Sequence, residues 1–310
     1  MAVVLASAVL ALPAASFPGR NGDLLFEVVP AQTPREAFGG GPVHLVAMDV
    51  HGGGSRDLGV VAGDEVEFVE ARYTPDGRRI VFLHAIDKPN SPEARYSLDL
   101  MNADGSRRRV LIRQPYLAQF AISPDGKSLA VLAIVGHSRW SIYLSSIAHP
   151  RLRLLSHTGP LGSIRWTKEH NLIVFNASSL CWTGTCRLDT TTGRAQTVSI
   201  NDRSYQTAGP AVSPDGKTIA FYNPHGPAGV RIFGLDGRFH RTIRGFYPCV
   251  GPFAPDGSEL ALQDRCSGPG LGISLFDFRT RRTQRLQLNV PVPVGGEDHL
   301  VDWQPRHATS

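Results

Sequence analysis

The sequence predicts an all-β fold: a closed ring of six four-stranded units. Three observations carry that prediction. One hairpin turn recurs at a near-constant spacing, a second hairpin falls midway between successive copies, and each end of the chain holds half a copy.

The recurring turn appears in "RYTPDGRRIVFLH" from Arg72, "AISPDGKSLAVLA" from Ala121, "AVSPDGKTIAFYN" from Ala211 and "PFAPDGSELALQD" from Pro252. Proline presets φ at the second position of a type I turn. Aspartate tolerates the third position and can bond its own backbone, and glycine supplies the positive φ that starts the next strand. Asp76, Asp125, Asp215 and Asp256 are therefore read as turn formers, because they belong to every copy whereas a catalytic site is asymmetric. The turn prolines stand at 75, 124, 214 and 255, with gaps of 49, 90 and 41. Ninety is two periods, and a degenerate copy, "IRWTKEHNLIVFN", fills the middle with Trp166 in the place of Tyr73 and Phe253. Trp166 and Trp303 are accordingly expected to pack between units.

The intervening hairpins are "HLVAMDVHGGGSRDL" (44–58), "SLDLMNADGSRRRVL" (97–111), "SIYLSSIAHPRLRLL" (141–155), "CRLDTTTGRAQTV" (186–198), "VRIFGLDGRFHRTI" (230–243) and "ISLFDFRTRRTQRL" (273–286). The end halves are "PGRNGDLLFE" (18–27), a turn and its strand, and "LVDWQP" (300–305), a strand without its partner. Joined, they make one unit and close the ring. A period of about 40–50 residues with four strands per unit is the signature of a β-propeller. High glycine (32) and proline (23) suit short strands and tight turns, and no window after the N-terminus sustains a helical apolar period.

These motifs resemble the TolB-like propeller repeat family, a six-bladed branch of the WD40-like (PD40) propellers. The resemblance is carried by "SPDG" at 123–126 and 213–216, "TPDG" at 74–77, "APDG" at 254–257, "LMNADGSRRRVL" at 100–111 and "DWQP" at 302–305. It covers the chain after its N-terminus and implies the fold. It implies no catalytic residue, and the N-terminal α/β domain of TolB has no counterpart in the repeats. The expected organisation is a signal peptide at 1–16, one propeller at 17–306 and a tail at 307–310.

Export is expected from two features. Residues 2–12 are an uncharged apolar run, too short to span a bilayer, followed by "LPAAS" with cleavage after Ser16. The four cysteines form two sequence-local pairs, read as disulfides Cys181–Cys186 and Cys249–Cys266. The second pair flanks the turn at Pro255-Asp256-Gly257, and closing that loop contributes ~3 kcal/mol in the chain-entropy model. The spacing does not fit a zinc ribbon. The net charge is +5, but 28 of the 32 basic residues are scattered arginines. Nucleic-acid binding would call for a concentrated basic stripe with interleaved aromatics, so no nucleic-acid partner is expected.

Propeller geometry locates the candidate binding mouth. The strand before each turn is innermost, so the turns crowd one mouth of the central channel. The entries to the innermost strands and the ends of the second strands gather at the other. The first set supplies Glu70, Gln119, Ser163, Thr207, Asp298 and His299, and the second Glu27, His84, His137, Asn176, His225 and Asp264. The expected activity is non-catalytic binding of a protein, peptide or glycan. The alternative is a propeller enzyme, a hydrolase or lyase using His, Asp and Glu at this mouth. No cofactor is assigned, although the histidines and carboxylates raise a divalent cation as a candidate. "GHSRW" (136–140) lacks the second glycine of a nucleophile elbow, which argues against a peptidase triad.

Overall fold

The structure is a computed structural model that describes residues 20–29, 42–50, 54–62, 70–87, 95–136, 139–159, 163–167, 169, 171–175, 185–198, 210–223, 228–266, 271–287 and 297–306. Among these residues there is no helix; 24 strands form six four-stranded antiparallel sheets, the blades of a six-bladed propeller. From channel to rim, blade 1 is β24 (Glu297–Arg306), β1 (Arg20–Val29), β2 (Val43–Met48) and β3 (Ser55–Ala62). Blade 2 is β4 (Glu70–Tyr73), β5 (Arg79–Asp87), β6 (Arg95–Asn102) and β7 (Arg109–Gln114). Blade 3 runs from β8 (Tyr116–Ile122) and β9 (Ser128–Ile134) to β10 (Ser141–Ser146) and β11 (Arg153–His157). Blade 4 comprises β12 (Ser163–Trp166), β13 (Asn171–Phe175), β14 (Thr185–Asp189) and β15 (Ala195–Thr197). Blade 5 holds β16 (Ala211–Val212), β17 (Thr218–Asn223), β18 (Gly229–Gly234) and β19 (Phe239–Arg244). Blade 6 holds β20 (Cys249–Phe253), β21 (Glu259–Gln263), β22 (Ile273–Asp277) and β23 (Arg282–Arg285).

The turns work as their chemistry requires. In blade 2 the Gly77 amide donates to the Thr74 carbonyl at 2.7 Å, and Asp76 Oδ1 accepts from the Arg78 amide at 3.1 Å and from Thr74 Oγ1. Ser123 with Asp125, and Ser213 with Asp215, repeat the arrangement. Blade 6 has Ala254 in the serine place, and there Asp256 takes its hydroxyl from Ser258 instead, at 2.6 Å. The turn glycines have φ between +64° and +76°, a region closed to most side chains. At Gly77 a Cβ would also strike the Pro305 carbonyl of blade 1, so this turn backs directly on the closing strand.

Alternation along the strands explains the apolar runs. In β5, Ile80 and Phe82 belong to a core shared with blade 1, while Val81 and Leu83 belong to one shared with blade 3. The inner strands of a blade are buried on both faces, so both of their side-chain sets must be apolar. Burying a side chain such as Phe82 fully contributes about 2–3 kcal/mol. The ring closes as the half repeats predict: β24 pairs with β1 through Leu24↔Trp303 and Leu25↔Asp302. Trp303 is buried, and its Nε1 donates to the Gly22 carbonyl at 3.1 Å. Arg306 Nη2 donates to Asp23 Oδ1 at 2.6 Å.

Cys249 and Cys266 form the expected disulfide, tying the start of β20 to the chain just beyond β21. Cys186 is also disulfide-bonded, while Cys181 lies outside the described residues. Disulfides of this kind point to an oxidising compartment. Among the described residues no helix is long and apolar enough to cross a membrane.

Candidate functional site

The innermost strands β4, β8, β12, β16, β20 and β24 wall a central cavity of about 470 Å³. Glu70, Gln119, Ser163 and His299 of the strand entries line it, as does Glu27 from the second-strand ends. His84 and Asp264 do not. β5 runs on to Asp87, so His84 is a mid-strand residue rather than a loop residue. Its ring lies 5.6 Å from that of Phe82 and its Nδ1 donates to the Ala85 carbonyl at 3.0 Å. Asp264 is drawn outward: it accepts from the Gly272 amide at 2.9 Å and stands 3.5 Å from Arg285 of the rim strand β23. His137, Asn176, His225 and Thr207 lie outside the described residues, as do the side chain of Asp298 and the tail at 307–310.

The residues that dominate the cavity are ones the strand-entry argument passes over. Two positions before each turn's hydroxyl or its equivalent, the innermost strands carry Arg72, Ala121, Arg165, Ala211, Pro252 and Asp302, and all six line the cavity. Arg72 Nη2 donates to Glu70 Oε1 at 2.6 Å. Arg165 Nη1 is 3.9 Å from the same oxygen, beyond hydrogen-bonding distance, and donates instead to the Ile164 carbonyl of its own strand at 2.8 Å. Asp302 Oδ2 accepts from the Tyr73 amide of the neighbouring strand at 2.6 Å. His299 Nδ1 is 3.9 Å from Oε2 of the buried Glu27.

This cluster is electrostatically unfinished. Burial, then repulsion by Arg72, pushes Arg165 from the usual arginine range down to about 9. Arg72 is raised, because the burial that would lower it is outweighed by Glu70 and Asp302. Burial raises the Asp302 carboxyl against the pull of Arg72 and its backbone hydrogen bonds. Burial, then Arg72, holds His299 below the usual imidazole value, which favours a neutral ring at pH 7. Several polar atoms on the cavity-lining residues are also buried without a hydrogen-bond partner: Glu70 Oε2, Arg72 Nε, Ser163 Oγ, Trp166 Nε1 and Gln263 Oε1. Buried polar groups are ordinarily paired, and these exceptions gather around one cavity. Among the described residues no group of three or more His, Cys, Asp or Glu side chains is arranged to hold a metal ion.

No protein-family model matches the sequence, and a search of curated proteins finds no match. Solved structures do match in fold. TolB from Acinetobacter baumannii aligns with a TM-score of 0.68 at 16% identity, over 91% of this chain and 67% of that one. A protein assigned as TolB from Agrobacterium tumefaciens aligns at 0.57 and 16% identity, over 91% of this chain and 99% of the other. A puromycin hydrolase aligns at 0.54 and 17% identity, over 91% of this chain but only 49% of the enzyme. The described chain therefore has the TolB-like six-bladed β-propeller fold.

Proposed function

We propose that the protein is an exported, non-catalytic binding module whose central channel receives part of a protein, peptide or glycan partner. The observation that carries this reading is the cavity wall itself, with buried hydrogen-bonding groups left unpaired on Ser163, Gln263, Glu70 and Arg72. Leaving such groups unmet costs about 1–3 kcal/mol each, and a ligand that meets them recovers that cost on binding. The disulfides and the apolar N-terminal run support an extracytoplasmic setting. Fold likeness does not decide between binding and catalysis, since both TolB and a hydrolase share it. One observation favours the enzyme alternative: a ring disposed to be neutral, His299, stands beside Glu27 within the cavity, a pairing a general base could use.

Photo-crosslinking tests the binding reading. A photoreactive residue replaces Gln119 in the channel or, as control, the exposed Val110 on the rim strand β7, and cells of the source organism are irradiated. A discrete adduct from position 119 and none from 110 is the expected result. Adducts from 110 alone would overturn the assignment to the channel.

A further inference from the structure

The ring level that holds the two channel arginines is charged on one side only. Arg72 stands on blade 2, Arg165 on blade 4 and Asp302 on blade 1; blades 3, 5 and 6 contribute Ala121, Ala211 and Pro252. The small residue on blade 3 leaves the two guanidinium groups as near neighbours on either side of Glu70 Oε1, 2.6 Å from Arg72 and 3.9 Å from Arg165. Those on blades 5 and 6 leave the other half of the channel open.

The two arginines are not equivalent within this level. Arg72 holds Glu70 and lies in the field of Asp302. Arg165 has five N–H donors, yet its one hydrogen bond goes to a neutral carbonyl of its own strand, and the nearest carboxylate oxygen is 3.9 Å away. One guanidinium charge on the cavity wall is thus without a hydrogen-bonded anion. On the same strand, two residues before Arg165, the Ser163 hydroxyl is buried and unpaired.

We infer that this half of the channel binds a carboxylate, held through the fork of Arg165 on β12. The inference rests on the channel being the binding site. A guanidinium presents parallel donors that match a carboxylate or a phosphate. The charge count selects between them. Glu27, Glu70 and Asp302 already line the cavity against two arginines, so every negative charge on the ligand adds repulsion and a singly charged group meets less of it than a doubly charged one. A free small acid and the C-terminus of a peptide share the required carboxylate, and the test separates them.

The test follows the arginine Nε–Hε signals by nitrogen-15 NMR, with the Arg165 signal assigned by its loss in Arg165→Gln. The probes are acetate, N-acetylglycylglycine and its C-terminal amide. A saturable Arg165 shift with N-acetylglycylglycine at roughly tenfold lower concentration than acetate, and none with the amide, supports the inference and identifies a peptide terminus (tenfold being about 1.4 kcal/mol). Equal responses to the two acids, with none to the amide, support it and identify a small free carboxylate. No response to either acid, or an equal response to the amide, overturns it. If the adduct from position 119 persists while Arg165 ignores both acids, the carboxylate inference falls and the channel reading stands. If no adduct forms at 119 in an otherwise wild-type background, it is the channel reading that falls.

Discussion

Between blades 1 and 2, Asp99 accepts from Ser97 Oγ and, at 2.8 Å, from Arg108 Nε. Arg108 goes on to the Val61 carbonyl of β3 at 3.3 Å, stands 3.0 Å from His84 Nε2 and lies over the Phe82 ring at 4.9 Å. In the channel, Arg165 and Arg72 crowd a single carboxylate while buried polar atoms beside them have no partner. Both regions combine arginine, a carboxylate and histidine. The first is completed by the protein's own groups and joins two blades; the second is left open around a cavity. Residue type does not separate a staple from a site here, whereas completeness of hydrogen bonding does.

The difference predicts unequal responses to mutation. The largest is expected at Asp99→Ala, which leaves Arg108 and Ser97 without their shared acceptor and should cost about 3 kcal/mol in urea unfolding. A cost near zero would show that blades 1 and 2 do not depend on this network. Arg72→Gln should cost about 2–3 kcal/mol, because it strands Glu70 beside a cavity that offers it only the distant Arg165.

The two aspartates should also respond oppositely to pH. Burial alone would raise the Asp99 carboxyl, but hydrogen bonds from His84, Ser97 and Arg108 outweigh it and hold the group at about 2, below its ordinary 3.8. Its folded pKa is depressed, so its contribution is complete above pH ~4 and lost as pH falls toward 2. That contribution is about 2 kcal/mol. Asp302 is raised, so its charge opposes folding and the opposition disappears as pH falls through its folded pKa. Asp302→Asn should therefore shift neutral-pH stability toward the folded state, by less than any change above. Urea midpoints of Asp99→Asn and Asp302→Asn moving in the same direction would break the comparison.

The fold was legible because its signals are local or periodic. Thr74-Pro75-Asp76-Gly77 folds by contacts within the turn, and the half repeats at 18–27 and 300–305 disclose the clasp by what each lacks. The channel was legible in part. Glu70, Gln119 and His299 follow from strand order alone, but His84 depends on where β5 stops, and that strand outruns its apolar run. Arg72, Arg165 and Asp302 are ordinary polar strand residues in sequence, separated from one another by 93 and 137 positions. Only ring closure brings them to one level. Aligning the six repeats and comparing the column two places before each turn's hydroxyl or its equivalent would have exposed them, since that column holds three charges among small or constrained residues.

The most direct test of the account is one pair of urea-unfolding experiments at neutral pH, on Arg108→Gln and Arg165→Gln. Arg108→Gln should cost about 3 kcal/mol, by removing a hydrogen bond from the buried Asp99, while Arg165→Gln should change stability by less than about 0.5 kcal/mol or increase it, because no protein anion is hydrogen-bonded to it. If Arg165→Gln is as costly as Arg108→Gln, the channel cluster is a second structural staple and the distinction on which the binding site rests is lost.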